Sequence, residues 1–184
     1  MKKMLLPLLL AFCFSANAQN VVGYWYGTAN VASGAASNNY LVELIIQQKQ
    51  AAVQAVLNYY FKNTYRSIRL NGNYNTISRE LSFSGISVPY AGNTGGIQVD
   101  CEMDFRAIHR VAKAGSNLTG RFIAKESHRY MCPDLVFDLK LNKDAGNLDS
   151  VLTALRNFKE TYQVWSPTAI RLQSCTKGSI LGHN

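Results

Sequence analysis

The chain has 184 residues, 47% of them apolar, with 19 Lys and Arg against 11 Asp and Glu for a formal charge of +8. That length suits one domain with a buried core and requires no second. The basic residues are spread from Lys49 to Lys177, without the clustered cations and interleaved aromatics of a nucleic-acid surface, so no nucleic-acid partner is expected.

At the start, Lys2 and Lys3 precede the apolar run Met4 to Phe14 and the small-residue triplet Ala16-Asn17-Ala18. This reads as a signal peptide cut after Ala18, and places the mature protein outside the cytoplasm, secreted or periplasmic. A membrane helix needs about 20 apolar residues, and the run is about half that. Phe12 stands where a lipid-modified cysteine at position 13 would require a small residue. No transmembrane span is expected in the mature chain, which keeps 17 basic and 11 acidic residues and three of the four cysteines, Cys101, Cys132 and Cys175.

From Val22 to Asn142 the hydrophobic period is two, the mark of strands with one buried face. Eight runs follow in order: Val22–Asn30, Tyr40–Gln48, Ala52–Lys62, Arg66–Tyr74, Arg79–Ile86, Ile97–Arg110, Asn117–Ser127 and Asp134–Asn142. The sixth alternates most cleanly, with Ile97, Val99, Cys101, Met103, Phe105 and Ala107 on one face and Gln98, Asp100, Glu102, Asp104 and Arg106 on the other. Short links force antiparallel neighbours. The expected fold is therefore all-β, an eight-stranded antiparallel meander closed into a barrel, since closure removes exposed edges.

A four-residue loop, Lys113 to Ser116, sets Ala112 opposite Asn117 in the sixth hairpin. Asp104 then faces Lys125, Asp100 faces Arg129, and Cys101 faces His128. These charge pairs read as solvated surface contacts, not as a metal or catalytic site. The same register brings Cys132 to the rim beside Cys101, which makes a Cys101–Cys132 bridge reasonable in an oxidising compartment. Pairing of Cys132 with Cys175 is the rival.

Beyond Asn142 the period becomes helical, through Leu148, Val151, Leu152, Leu155 and Phe158, with Asn147 or Asp149 as the cap. A helix from about Asp149 to Thr161 should lay this stripe on the barrel wall. The barrel domain is thus assigned to residues 19–146, and a packed helix and tail to 147–184, with a short strand possible at Ala169 to Leu172.

No Gly-x-Ser-x-Gly, His-Glu-x-x-His, Walker loop, dinucleotide fingerprint or Cys-x-x-Cys occurs. No cofactor, metal or catalytic residue is assigned. Glu126 and His128 are the least unfavourable acid/base pair, for a hydrolase or isomerase at the barrel mouth. Tyr59, Phe61, Phe83, Phe105, Phe122 and Phe137 are expected to point inward, where they either line a calyx or fill it. Tyr90 is expected in the loop Ser87 to Gly96 at one mouth.

Near the first strand, Gly23-Tyr24-Trp25-Tyr26-Gly27 has the form Gly-x-Trp-x-Gly. With eight meandering strands and a helix after the last, the chain resembles the lipocalin and calycin group of ligand-binding barrels. That resemblance implies that Trp25 plugs one end of the barrel against a basic residue from near the C-terminus, for which Arg171 is the best positional match. The segment Val53 to Gly72 also resembles exported barrels of Bacteroidetes-type bacteria. The function expected on these grounds is an exported, non-enzymatic binding protein for a small apolar molecule. The alternative is a structural or inhibitory barrel that contacts an envelope protein.

Overall fold

The computed structural model describes residues 20–32, 39–62, 64–91, 98–143 and 149–161. Eight strands run in order: β1 (Gly23–Val31), β2 (Asn39–Lys49), β3 (Ala52–Phe61), β4 (Thr64–Asn75), β5 (Glu80–Ala91), β6 (Gln98–Ala112), β7 (Gly115–Ala124) and β8 (Leu135–Leu141). Each pairs antiparallel with the next, and β8 pairs back onto β1 from Trp25↔Leu141 to Val31↔Leu135, so the meander is a closed barrel. The expected fold class holds. The signal-peptide region, Arg171 and Cys175 lie outside the described residues.

Alternation drives the closure. Every second side chain of a strand faces the same way, and the inward set Trp25, Leu44, Leu57, Leu81, Met103, Phe105, Leu118 and Leu139 is buried. The outward rows carry Asp100, Glu102, Arg106, Arg121, Asp138 and Lys140, the reverse of a lipid-facing wall. Tight turns at Gln50-Ala51, at 76–79 and at Lys113-Ala114 mark what is here called the lower end. The upper end carries the β7–β8 connection, tied down by a disulfide between Cys101 and Cys132.

Two features bend the wall. A Cβ on Gly27 would lie 1.9 Å from the Asp138 carbonyl oxygen, so β8 can pass this close only beside a glycine, while a Cβ on Gly23 would meet Leu141 Cδ1 at 2.5 Å. Gly85 takes φ +72° at a break in the β5–β6 register between Phe83 and Ile86, a β-bulge that a side-chain-bearing residue would strain.

The β6–β7 hairpin differs from expectation by two residues. Its turn is two residues long, with Ala112 opposite Gly115, because the strands pair right down to the glycine. A shift of two preserves which face each side chain occupies but changes every partner. Lys125 accordingly bonds Glu102 and not Asp104, and Asp104 Oδ1 accepts the N–H of Gly85 at 3.3 Å. Asp100 pairs with Arg66 at 2.7 Å, and Arg129 with Glu126 at 3.0 Å. Tyr90 lies on β5 opposite Val99 and not in a loop, because β5 keeps its pairing to Ala91.

After β8, helix α1 (Ser150–Thr161) crosses the outer wall of β1 and β2. Asp149 caps it: its Oδ1 accepts the Val151 N–H at 2.9 Å and its backbone oxygen the Thr153 N–H at 3.0 Å. Lys140 on β8 bonds Asp149 Oδ2 at 2.9 Å and, with the Val151 N–H, holds that carboxyl below its ordinary pKa. Leu155 is buried, and Val151, Leu152 and Phe158 pack beside it, which is the expected stripe less Leu148, outside the described residues.

Candidate functional site

The lower and middle barrel is filled by rings. Phe105 sits 4.5 Å, centroid to centroid, from Phe137 in a stacked pair, 5.3 Å from Phe122 and 5.5 Å from Phe83. Phe122 and Phe137 meet at 5.2 Å. Below them Trp25 donates its Nε1–H to the Val21 carbonyl at 2.9 Å and meets the His109 ring edge-on at 5.5 Å. Trp25 is fully buried, and the described ring against it is an imidazole. Tyr74 bonds His109 Nδ1 at 3.1 Å, while His109 Nε2 is buried without a hydrogen-bond partner among the described residues. Burial, and next the Arg79 charge, lower the His109 pKa.

The upper barrel is built differently. β4 and β5 form only four ladder pairs, Gly72↔Phe83 to Asn75↔Glu80, so residues 64–71 and 84–91 make no ladder with each other. Here β5 is reached instead by side chains from β2, β3 and β4. Tyr40 donates to the Pro89 carbonyl at 2.8 Å and Tyr59 to the Ser87 carbonyl. Proline at 89 is compatible with the seam because it has no N–H for a ladder. Cross-strand partners share a face, so Arg66, opposite Tyr59, starts on the inner row, whereas Asp100 alternates with buried Cys101 and lies on the outer row. The Arg66 guanidinium therefore crosses the line of the wall at the seam, reaching Asp100 and, at 3.3 Å, Ser87 Oγ.

Tyr59, Phe61 and Tyr90 gather at this upper end. Phe61 stacks on Tyr40 at 4.4 Å, and Tyr90 packs half-buried against the core. Burial pushes the Tyr59 hydroxyl up to about 12, against the pull of Arg66, so it stays a neutral donor. Phe83, Phe105, Phe122 and Phe137 belong instead to the ring layer below. Phe83 and Phe105 also border a shallow outer depression of about 270 Å³ beside the bulge.

A second polar cluster lies under α1, and sequence reasoning missed it. Glu43 faces outward from β2, yet only 1% of its surface is exposed. It accepts from the Tyr24 hydroxyl, from the Tyr60 hydroxyl at 2.7 Å, from Asn58 Nδ2 at 3.5 Å, and from Lys159 Nζ on the helix at 2.5 Å. Burial, and then the Glu43 charge, raise the pKa of Tyr24 and Tyr60, so both remain neutral donors. The available signal was one carboxylate within the apolar run Leu41-Val42-Glu43-Leu44-Ile45-Ile46, followed by a lysine in the last turn of an amphipathic helix.

At the rim, Glu126 and His128 do not converge on a reacting centre. Glu126 pairs with Arg129 in the open, and His128 Nδ1 contacts its neighbour Ser127 Oγ at 2.8 Å. Among the described residues no group of three or more His, Cys, Asp or Glu side chains could hold a metal, and no helix is long and apolar enough to cross a membrane. Compared with known proteins, the chain matches no family model and no curated protein.

Proposed function

We propose that the protein is an exported, non-enzymatic binding barrel that admits a small, mainly apolar molecule at the β4–β5 seam. The observation that supports this reading is the short β4–β5 ladder. Parting a ladder breaks a row of backbone bonds, whereas parting the seam breaks a few side-chain bonds made by Tyr40, Tyr59 and Arg66. The same groups can serve a ligand, because Arg66 and the two phenols are donors suited to an acidic or carbonyl oxygen. Tyr59, Phe61 and Tyr90 then supply the apolar contact. A disulfide beside the seam fits an oxidising compartment.

Native mass spectrometry of the mature protein from its own host's envelope, repeated after mild denaturation, tests this. A small-molecule mass released on denaturation, and retained less by Arg66→Met, is the expected result. A bare mass would turn attention to the outer surface. There, Tyr130 and Met131 stand exposed on the β7–β8 connection that the disulfide anchors. That pair favours a second reading, a barrel that docks an envelope protein through a rigidly held aromatic contact.

A further inference from the structure

We infer that the wall beneath α1 is a binding site for a primary alkylammonium group, in which Lys159 is the resident occupant. The barrel alone presents Glu43 with neutral donors only, the hydroxyls of Tyr24 and Tyr60 and the amide of Asn58. A buried carboxylate is strongly destabilised without a positive partner. Among the described residues, the cation bonded to Glu43 is Lys159, from an element 116 residues away in sequence.

The surroundings have the chemistry of an ammonium receptor. Tyr24 and Tyr26 stack at 6.3 Å and Tyr60 and Tyr65 at 5.0 Å, which fixes the two hydroxyls that donate to Glu43 and walls the site with apolar rings. Tyr65 also bonds Asn58 Oδ1 at 3.4 Å, which holds the amide with its nitrogen toward Glu43. Lys159 is 30% exposed, so the occupant is reached from solvent at the last helical turn, two residues before α1 ends. Leu155, one turn earlier, is the buried anchor of the helix. Phe158 in the last turn meets the Tyr60 ring edge-on at 4.8 Å, a ring contact that the turn gives up if it lifts while Leu155 stays docked. An incoming ammonium, from a free diamine or from a lysine side chain of another protein, would replace Lys159 on Glu43 ion for ion.

The test uses n-butylammonium, cadaverine and Nα-acetyl-lysine methylamide as probes against the wild-type protein, Lys159→Ala, Lys159→Met and Lys159→Ala/Glu43→Gln. A tethered competitor weakens external binding by the fraction of time it occupies the site. Both single variants should therefore bind butylammonium at least about tenfold more tightly than wild type, and the double variant should lose binding. In the wild-type protein, saturating probe should speed hydrogen exchange at the amides of the last turn of α1, with exchange around Leu155 unchanged. Preference for the acetyl-lysine amide would identify a protein lysine as the source, and preference for cadaverine a free diamine. Rescue of the Lys159 variants without displacement in wild type would overturn the proposal and leave Lys159 as a fixed clamp. Equal binding to the double variant would overturn it as well.

Discussion

The lower and upper halves of the barrel share one alternation of side chains and differ in what holds β4 to β5. Below, from Gly72↔Phe83 to Asn75↔Glu80, the ladder is continuous and the rings of Phe83, Phe105, Phe122 and Phe137 fill the space behind it. Above, residues 64–71 and 84–91 share no ladder; Arg66 reaches Ser87 from β4, and Tyr40 and Tyr59 reach β5 from β2 and β3. Burial is a bulk effect that scales with area, whereas the seam rests on a few directional bonds in partial contact with water. The lower half therefore carries the stability, and the upper half is where the wall can move.

The largest effect is expected from Phe105→Ala. Phe105 is fully buried and touches three other rings, so its removal leaves a cavity that its rigid neighbours cannot close. The loss should be about 3 to 5 kcal/mol, read from the denaturant midpoint with the disulfide intact. A loss under about 1 kcal/mol, the range of tolerated volume-conserving swaps, would mean that the ring layer is loosely packed and that the two halves do not differ.

A smaller effect, confined to acid, should come from His109 at the lower plug. Its folded pKa lies below the ordinary value of 6.5, through burial first and the Arg79 charge second. The unfolded chain therefore binds the proton more readily. The stability from this group is fully present above the unfolded pKa and is lost as pH falls through the lower folded value. Stability should decline from about pH 6.5 downward, and His109→Phe should flatten that part of the profile. An unchanged slope in the variant would assign the acid loss to carboxylates.

Much of the fold was legible because closure of a meander depends on period and loop length, both printed in the residues. Cys101, Met103, Phe105 and Ala107 declared an inner face, and Asp149 with the stripe from Val151 to Phe158 declared a capped helix. The Cys101–Cys132 bridge was reachable even though the hairpin register was off by two, since a shift of two keeps Cys101 on the inner face and at the same end. What stayed hidden depends on pairing between distant segments. The stop of the β4–β5 ladder at Gly72 was not announced by any local pattern, because the register shift beside Gly85 shows only in how β5 pairs with the more distant β6. Glu43 was hidden for the same reason: its partners lie on β1, β3 and α1, and an outward position on a strand ordinarily means water.

The smallest stability effect should come from the seam itself. Arg66 and Asp100 are one third and one half exposed, so solvent screens their attraction and the pair should contribute under about 1 kcal/mol. Arg66→Met should barely move the unfolding midpoint. Its effect should instead be local, since the guanidinium also holds Ser87 Oγ and crosses the wall where the ladder is missing. Hydrogen exchange should therefore speed up along 64–71 and 84–91 in this variant while the amides of 72–75 and 80–83 keep their protection. Asp100→Asn should produce the same pattern more weakly, because it leaves the Ser87 contact in place. Uniform acceleration over both halves would erase the distinction drawn between them, since the seam would then open only when the whole barrel does.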